Sequence, residues 1–422
     1  MPSPPKPVHL PGTTLEGGGQ LLRLALSLSS LTSTPIRITD IRGKRPSGGG
    51  LKRQHLTAVE WLARASGADV EGAEKGSHTL LFRPGATSYA AQAWWTEGPS
   101  VDQASLKKVV IEQDSPGSIG LVLQAVLPYI LFSHSSSPAS TPVTLSISGG
   151  TNVTFSPSYE YIRQVLLPTL EAIGLPRIET SLEARGWTTG RQEIGSASFT
   201  ITPLCKGQSL PAFHLAQRGD ITTIHVTILA PASAIAHVRQ EILSSLASKL
   251  PETAVEVVLE EDSRSSKRLY LLLVALTQDG RRLGRDWLYD HKITDLDTAV
   301  KKLVKMVVGQ LCAELRSGGC VDEYLQDQLV VFQALANGRS VVLGGKAINS
   351  ASQNRGGRET DDAAARPASL HTQTARWVAG EVLDVTFDDD GTCDGIGFVV
   401  GKRLPREAER DFAEMVGERL RV

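Results

Sequence analysis

Segments with helical spacing of apolar residues alternate with short strand-like segments, and this pattern occurs three times along the chain. The first unit runs through GGGQLLRLALSLSSLT and PIRITDIR, then LKRQHLTAVEWLARASGA and HTLLFRPG. The second pairs GSIGLVLQAVLPYILFS with TPVTLSISGG and continues with SYEYIRQVLLPTLEAIGLP. The third pairs DEYLQDQLVVFQALANG with RSVVLGG, and SLHTQTARWVAGEVL with DVTFDDD. We therefore predict an α/β (α+β) fold in which three repeated α/β units form one large core domain.

A different arrangement of strands and helices interrupts the repeats between the second and the third unit. TTIHVTILA, AVEVVLEE and RLYLLLVALT alternate with two long helical segments, which predicts a smaller inserted α+β domain over residues 204–316. The large catalytic domain would then comprise residues 12–203 and 317–422. Residues 1–11 are expected to form a flexible N-terminal lead. Residues 346–368 are polar and without periodicity, so we expect a disordered loop there.

Composition favours a globular chain that buries a real core, because 41% of its 422 residues are hydrophobic and 21% are charged. The formal net charge is −1, yet residues 1–55 hold eight Lys or Arg against two acids. That local excess suits an anionic ligand, although a solvated basic face is the alternative. The four cysteines form no C-x-x-C pair, so we expect neither a disulfide framework nor a structural metal.

The sequence also bears on location and assembly. No apolar run approaches the ~20 residues of a membrane span, and the start MPSPPKPVHLPG lacks the apolar core of a secretory signal. We expect no membrane partner, and a nuclear (nucleoplasmic) or cytoplasmic location. The oligomeric state is left open, with a homodimer as one alternative.

Two glycine triplets, Gly17–Gly19 and Gly48–Gly50, lie among the Lys and Arg residues of the first 55 positions. In EGGGQLLR the triplet opens a helix whose first N–H groups, with Gln20 and Arg23 on the same face, suit a phosphate. RGKRPSGGGLKRQH repeats the arrangement, and arginine forks bind phosphate oxygens in pairs. His55 ends this segment and either contacts a phosphate or lies on a helix surface. Tight turns are the alternative explanation for both triplets.

Two further segments carry candidate site residues. His371 follows Ser369, a typical helix cap, and opens the helix HTQTARWVAGEVL. The helix dipole disfavours an imidazolium in the first turn, so His371 would stay neutral and nucleophilic; a polar surface residue is the alternative. In VDEYLQDQLVVF, Tyr324, Asp327 and Gln328 lie within one helical turn beside an apolar run, which favours a site over a solvated helix start.

Several familiar motifs are missing from the sequence. It contains no G-x-x-x-x-G-K-[ST] and no G-x-G-x-x-G after a strand, so any nucleotide is bound in a less common way. It also contains no H-E-x-x-H and no G-x-S-x-G, which argues against a zinc hydrolase and against a serine hydrolase.

Seven collinear motifs together resemble the RNA 3′-terminal phosphate cyclase family: EGGGQLLR, GLKRQHLTA, GAEKGSHTLLFRPG, DSPGSIGLVLQAVLP, SGGTN, DEYLQDQL and LHTQTA. The resemblance is best over residues 12–203 and 317–385. It implies a three-repeat α/β core that carries an inserted domain. It also implies an enzyme that uses ATP and a divalent cation, Mg²⁺ or Mn²⁺, to convert an RNA 3′-phosphate into a 2′,3′-cyclic phosphodiester. The implied route is a covalent histidine–AMP intermediate and an RNA–adenylate anhydride, with release of pyrophosphate and AMP.

The resemblance assigns roles to matching positions of this sequence. His371 of LHTQTA would be the nucleophile that carries AMP. Glu16, Gln20 and Arg23 of EGGGQLLR would lie near the nucleotide, with Glu16 at the metal. The other positions implied to bind ATP or phosphate are Arg42, Arg45, Arg53, Gln54, Gln124, Tyr324, Asp327 and Gln328.

One departure and two alternatives remain. The family usually has a glycine-rich G-x-x-P-x-G-G-G where this chain has RGWTTGRQEIG, residues 185–195, so the loop there must differ. A non-catalytic relative that lacks the histidine and serves ribosome biogenesis is the first alternative function, and His371 argues against it. An α/β enzyme acting on a small phosphorylated metabolite is the second, and it would not need the histidine motif.

Overall fold

The first repeat consists of two helices and a four-stranded sheet. The computed structural model describes residues 5–45, 48–85, 95–97, 107–133, 141–344 and 367–402. The elements of the first repeat are β1 (Val8–Pro11), α1 (Gly19–Thr32), β2 (Ile36–Thr39), α2 (Arg53–Ser66), β3 (Asp69–Glu71) and β4 (Leu80–Arg83). The strand order is β1-β2-β4-β3, with β1 parallel to β2 and the other pairs antiparallel.

Strand β1 corrects the expectation of a flexible lead over residues 1–11. Val8–Pro11 pair in register with Ile36–Thr39, and Leu10 is fully buried in the core. Val8 and Leu10 lie on one face of the strand with the exposed His9 between them, which is the period-2 pattern of a half-buried strand. The prolines around it hide that pattern in the sequence, because proline is excluded from strand interiors except at edges, and β1 is an edge strand.

The second repeat has a larger sheet with the order β5-β6-β7-β9-β8. Its elements are β5 (Thr96–Glu97), β6 (Lys107–Ile111), α3 (Ile119–Phe132), β7 (Val143–Gly149), α4 (Tyr159–Tyr161), a π-helical turn (Ile162–Leu166), α5 (Leu167–Ala172), β8 (Glu179–Ala184) and β9 (Gly195–Ile201). The alternating segment TPVTLSISGG forms β7 as predicted, and its residues alternate between buried and half-buried.

The inserted region forms a separate sheet covered by two helices. After β10 (His214–Leu215) come β11 (Ile221–Ala230), α6 (Ala232–Lys249), β12 (Ala254–Asp262), β13 (Tyr270–Thr277), β14 (Arg282–Leu288) and α7 (Leu296–Arg316). The strand order is β12-β11-β13-β14. One face of β13 packs with α6 and α7 in a second hydrophobic cluster, while its other face joins the main core. Burial on both faces explains the continuous apolar run YLLLVALT.

The third repeat contains α8 (Glu323–Leu335), β15 (Asn337–Val342), α9 (Leu370–Leu383) and β16 (Thr392–Ile396). Its sheet has the order β10-β15-β16, so residues 214–215 pair with the third repeat and not with the inserted sheet. The predicted domain boundaries at 204 and 316 otherwise stay a prediction. Of the predicted loop 346–368, only residues 367 and 368 lie within the described part of the chain.

The strand predicted at DVTFDDD is reduced to a single antiparallel β-bridge between Phe387 and Cys393. Asp384 ends α9 with a left-handed backbone, at φ +60°, and the strand begins only at Thr392. Between them, the backbone N–H of Gly391 donates to the carbonyl of Asp388, closing a turn that Gly391 allows with φ +85°. Asp and Gly favour turns over strands, and this composition decides the local structure.

The helices of the three repeats pack on one another, with α1 against α2, α3 and α9, and α8 against α9 and α3. Helix α1 is buried on nearly all sides, which matches its apolar sequence. A single hydrophobic cluster includes residues of all three repeats. The mixed α/β fold is therefore the one that the sequence predicts. Among the described residues, no helix is long and apolar enough to cross a membrane.

Candidate active site

The first glycine triplet forms a turn that leads into α1. Gly17 has φ +58°, and a Cβ there would lie 1.9 Å from the carbonyl oxygen of Gly12. The Glu16 carboxylate folds back and accepts a hydrogen bond from the N–H of Gly18 at 2.8 Å. At Gly19, a Cβ would lie 2.7 Å from Nη1 of Arg23 and 3.2 Å from Nε2 of His55. Gly17 therefore serves the turn, whereas Gly19 leaves space for two side chains of the candidate site.

Gln20 and Arg23 lie on the same face of α1, as their spacing predicts. Nη2 of Arg23 donates to Oε1 of Gln20 at 2.7 Å. Burial lowers the pKa of Arg23 to about 10, against the opposing effect of the Asp327 and Glu16 carboxylates. An arginine at this pKa stays charged at neutral pH, so the helix start presents a fixed cation.

The second glycine segment packs directly on the first. The N–H of Arg42 donates to the carbonyl of Gly17 at 3.1 Å, and the N–H of Gly50 donates to the carbonyl of Ile41 at 2.6 Å. Arg45 forms an ion pair with Glu16 at 2.6 Å. The two glycine segments, which are about thirty residues apart in sequence, therefore form one continuous surface.

Three cationic side chains lie close together on this surface. We call them the cation cluster: Arg42, Arg45 and Lys52. Burial lowers the pKa of Lys52, and the charges of Arg42 and Arg45 lower it further. Burial likewise lowers the pKa of Arg42, with the charge of Arg45 adding to the effect and Glu16 opposing it. Like charges held together in this way favour the binding of an anion.

The sequence leaves the position of His55 open, and the structure buries it beside the first glycine turn. It is only 7% exposed, so the helix-surface interpretation is wrong. Its Nδ1 accepts a hydrogen bond from the N–H of Lys52 at 3.1 Å, which leaves the proton on Nε2. Burial lowers its pKa to about 3, and the charges of Arg23, Arg42 and Lys52 contribute. His55 is therefore a neutral donor whose Nε2 lies close to Gly19.

Arg53 and Gln54 lie at the start of α2, and neither lines the cavity described below. Arg53 forms an exposed ion pair with Asp114. Gln54 lines a small pocket together with Arg23 and His55. A phosphate-binding role for these two residues stays a prediction.

His371 is the second residue of α9, whose N-cap Ser369 accepts a hydrogen bond from the N–H of Thr372. The imidazole is exposed, and partial burial lowers its pKa below the usual 6.5. The Glu16 carboxylate raises that pKa, while the charges of Arg23 and Arg45 lower it. His371 is thus accessible, neutral at pH 7 and close to the glycine segment that lies at the other end of the chain.

His371 opens into a cavity of about 570 Å³ between the core repeats and the inserted region. Six sequence-predicted residues line it: Arg23, Gln124, Tyr324, Asp327, Gln328 and His371. Gln20 lines an adjacent pocket that Arg23, Gln124, Asp327 and Gln328 share. Neither of these two pockets includes Glu16, Arg42, Arg45 or Arg53.

The polar groups in this cavity are incompletely paired. Oε1 of Gln124, Oε1 of Gln328 and Nε of Arg23 are buried and hydrogen-bond to no other described group. Buried polar atoms normally have partners, so three such atoms in one cavity indicate a polar ligand. Burial also raises the pKa of Asp327 to about 7, against the opposing charge of Arg23. At neutral pH this carboxyl therefore exists in both protonation states.

Tyr324 presents a fixed aromatic ring in the cavity. The guanidinium of Arg285 lies 4.4 Å from its ring centroid, and the ring of Tyr161 packs edge-on at 6.3 Å. Nε2 of Gln328 donates to the Tyr324 carbonyl at 2.6 Å, which orients the amide. A planar ligand could stack beside this ring.

The inserted region supplies the wall that sequence reasoning missed. Asp286, Trp287 and His291 line the cavity from β14 and the loop after it. Oδ2 of Asp286 accepts two hydrogen bonds, one from the Ser158 hydroxyl at 2.7 Å and one from the Tyr270 hydroxyl at 3.0 Å. No motif marks these residues, because the wall exists only where the inserted sheet packs on the second repeat.

Residues 185–195, where the family's glycine-rich motif is absent, contact the inserted region. Nη2 of Arg268 in the inserted region donates to the carbonyl of Arg191, and its Nε donates to that of Thr189. The guanidinium also lies over the ring of Trp187, 5.1 Å from the centroid. The loop therefore attaches the second repeat to the inserted region.

A protein-only metal centre is not found among the described residues: no group of three or more His, Cys, Asp or Glu side chains could hold an ion. Glu16 is a single carboxylate that already contacts Arg45 and the N–H of Gly18. One carboxylate fits an ion held mainly by the phosphates of a nucleotide, as Mg²⁺ commonly is.

Comparisons with known proteins point in one direction. Residues 14–388 match a family model described as RNA 3′-terminal phosphate cyclase. A protein of that name from Methylococcus capsulatus is 32% identical over 340 residues, covering 79% of this chain and 85% of the relative. One from Methanosarcina barkeri is 31% identical over 382 residues, covering 90% and 96%. One from Drosophila melanogaster is 29% identical over 423 residues, covering 93% and 98%.

Proposed function

The chain belongs to the RNA 3′-terminal phosphate cyclase family, and from this premise we propose that it is an ATP-dependent enzyme that converts RNA 3′-phosphate ends into 2′,3′-cyclic phosphodiesters. The observation that carries the proposal is the position of His371. This neutral, exposed histidine opens into a cavity lined by Arg23, Asp327 and two glutamines whose amide oxygens have no hydrogen-bond partner among the described residues. Such a group is suited to nucleophilic attack on a phosphate held beside a buried cation.

The cavity suits an adenine nucleotide. About 570 Å³ is within the usual range for small-molecule sites. Tyr324 offers a ring for stacking, and Gln124 and Gln328 offer unpaired amide oxygens for the amino group of a base. Arg23 lies between this cavity and the glycine turn, where it would contact the phosphates.

In the first step, a ring nitrogen of His371 would attack the α-phosphorus of ATP. A nitrogen–phosphorus bond forms, the bond to the β-phosphate oxygen breaks, and pyrophosphate leaves. Arg23 would stabilise the negative charge that develops on the α-phosphate oxygens. The lowered pKa of His371 keeps its lone pair free for the attack at neutral pH.

In the second step, an oxygen of the RNA 3′-phosphate would attack the phosphorus of the histidine-bound AMP, which frees His371. In the third, the adjacent 2′-hydroxyl attacks the activated 3′-phosphate, AMP leaves with the bonding electrons, and the hydroxyl proton passes to solvent. Adenylation converts a poor electrophile into one with a good leaving group, and the 2′-hydroxyl is already held next to it. The cation cluster and His55 would hold the RNA phosphate.

A divalent ion, Mg²⁺ or Mn²⁺, would be held by Glu16 together with phosphate oxygens. When bound it would neutralise charge on the triphosphate. The Arg45 guanidinium forms an ion pair with the same carboxylate through Oε1 of Glu16.

The test is transfer of label from ATP carrying ³²P at the α-phosphate. We expect the wild-type protein to keep acid-labile, alkali-stable label after denaturation, and His371→Ala to keep none. His9→Ala is the matched control, since His9 is an exposed histidine on β1 that hydrogen-bonds to Thr39. Label that persists on His371→Ala, or a wild-type protein that never takes up label, would show that the covalent step is wrong.

A non-catalytic RNA-binding role remains the second candidate. It would need the cation cluster but not His371. If wild type and His371→Ala bind a 3′-phosphorylated RNA equally and neither cyclises it, this second function is the correct one.

A further inference from the structure

One aromatic side chain at the cavity is conspicuously exposed. Phe155 is 95% exposed, more than any other large hydrophobic residue of the described chain, and it lines the same cavity as His371. Its backbone is left-handed, with φ +58°. Non-glycine residues adopt that conformation rarely, and bulky ones more rarely still. Exposing a phenyl ring on an unfavourable backbone offers the folded protein nothing by itself, so the outlier points to a function.

The loop that carries Phe155 is held at both sides of the ring. The N–H of Tyr159 donates to the carbonyl of Thr151 at 2.9 Å, which closes the loop. The N–H of Thr154 donates to Oγ1 of Thr188 at 3.3 Å. Ser158 binds Asp286 through its hydroxyl at 2.7 Å. The ring is therefore displayed from an anchored loop.

A second group of aromatic residues lines the cavity from the inserted region. Trp287 and His291 pack edge-on with ring centroids 5.7 Å apart, and both line the cavity. The hydrogen bond between Ser158 and Asp286 joins the two walls, because Asp286 directly precedes Trp287. The cavity therefore has aromatic surface on both the core side and the inserted side.

We propose that Phe155 stacks on the base of the 3′-terminal nucleotide of the RNA. This inference rests on the proposed function and adds a residue for RNA recognition to it. The cavity already offers the Tyr324 ring and the amide oxygens of Gln124 and Gln328 to adenine. The near-complete exposure of Phe155 places it at the solvent side, where the RNA end must enter to reach the AMP on His371. Stacking on a phenyl ring tolerates every base, as an enzyme acting on varied RNA ends requires.

The test combines variants of Phe155 with an abasic substrate. Phe155→Leu removes the ring but keeps an apolar side chain, Phe155→Trp keeps a ring, and Leu243→Ala is an exposed apolar control on α6. The substrates are a 3′-phosphorylated RNA and the same RNA with the terminal base removed. Readouts are the KM for RNA in cyclisation, and the rate of labelling by ATP in the absence of RNA.

We expect Phe155→Leu to raise the KM for intact RNA about tenfold or more, the effect of losing one base–aromatic stack. Removing the terminal base should raise the wild-type KM by a similar factor and leave the KM of Phe155→Leu unchanged. Phe155→Trp should behave as wild type, and labelling by ATP alone should be equal in all variants.

Two results would overturn the inference. If Phe155→Leu slows labelling without RNA, the ring contacts the adenine of ATP instead. If removal of the terminal base raises the KM of Phe155→Leu by as large a factor as that of wild type, the ring does not contact the terminal base. Both results leave the proposed function standing, which fails if wild type does not cyclise intact RNA.

Discussion

The backbone N–H of Glu16 donates a hydrogen bond to Oγ1 of Thr374 at 3.2 Å, across 358 residues of sequence. Thr374 is one turn along α9 from His371, and Glu16 opens the first glycine turn. This bond therefore links the helix of the proposed nucleophile to the surface that we propose binds phosphate. Thr374 is fully buried, and its hydroxyl also donates to the carbonyl of Leu370 at 2.7 Å.

Replacing Thr374 by Val should weaken the junction. The change keeps the shape of the side chain but leaves the N–H of Glu16 without its partner. Because an unsatisfied buried donor costs about 1–3 kcal/mol, we expect the free energy of unfolding in urea to fall by that amount. Labelling by ATP should slow as well. Thr57→Val is the control, since the hydroxyl of the half-buried Thr57 makes a local bond to the carbonyl of Arg53 within its own helix. Equal losses in both variants would contradict a special role for Thr374.

Gly19→Ala should disturb the site without strain in the main chain. The added methyl would meet Nη1 of Arg23 at 2.7 Å and Nε2 of His55 at 3.2 Å, so both side chains must shift. We expect labelling by ATP to slow about 100-fold, as when a preorganised charge is displaced. Gly309→Ala in α7 is the control, because its Cβ meets open space. That variant should be more stable by about 1 kcal/mol and label normally. Normal labelling by Gly19→Ala would show that Arg23 is not needed in its present place.

The pH dependence of labelling should report on His371. Its pKa lies below 6.5, so the imidazole is neutral at pH 7 and becomes protonated only in more acidic solution. The labelling rate should therefore be flat above pH 6.5 and fall about tenfold per pH unit below the lowered pKa. Glu323→Gln removes a negative charge that raises this pKa, so its inflection should move to lower pH. An inflection above pH 6.5 in the wild-type protein would contradict the assignment.

Asp327 should make stability depend on pH in the opposite sense to an ordinary carboxylate. Its pKa rises from about 3.9 in the unfolded chain to about 7 in the folded protein. The protonated form is thus favoured by folding, and its contribution is present below pH 4 and lost as pH rises through 7. Asp327→Asn cannot ionise. We expect the variant to gain free energy of unfolding relative to wild type between pH 4 and pH 8, measured by urea titration at several pH values. A constant difference across that window would show that Asp327 is not buried as a carboxyl.

Local sequence pattern was sufficient for most elements of the fold. Helices α1, α3, α8 and α9 and strand β7 follow from apolar periodicity alone, because that periodicity is the burial pattern itself. Apolar periodicity did not identify the structure where proline or Asp residues interrupt it. Prolines concealed β1, and residues 384–390 lead into an Asp-rich turn with a single β-bridge where the pattern predicts a strand. Two glycine triplets suggested backbone approach to phosphate, whereas Gly17 is required by the local turn.

The sequence by itself determined the mixed α/β fold, the three repeats and the family motifs that single out His371 and Arg23. Those features depend on the spacing of residue types along the chain, which can be read directly from the sequence. Only the tertiary structure decided that His55 is buried and neutral, that Arg53 pairs with Asp114, and that the inserted region closes the cavity with Asp286 and Trp287. Burial, pKa and cavity walls arise from packing between segments far apart in sequence, and no local pattern encodes which segment will cover which side chain.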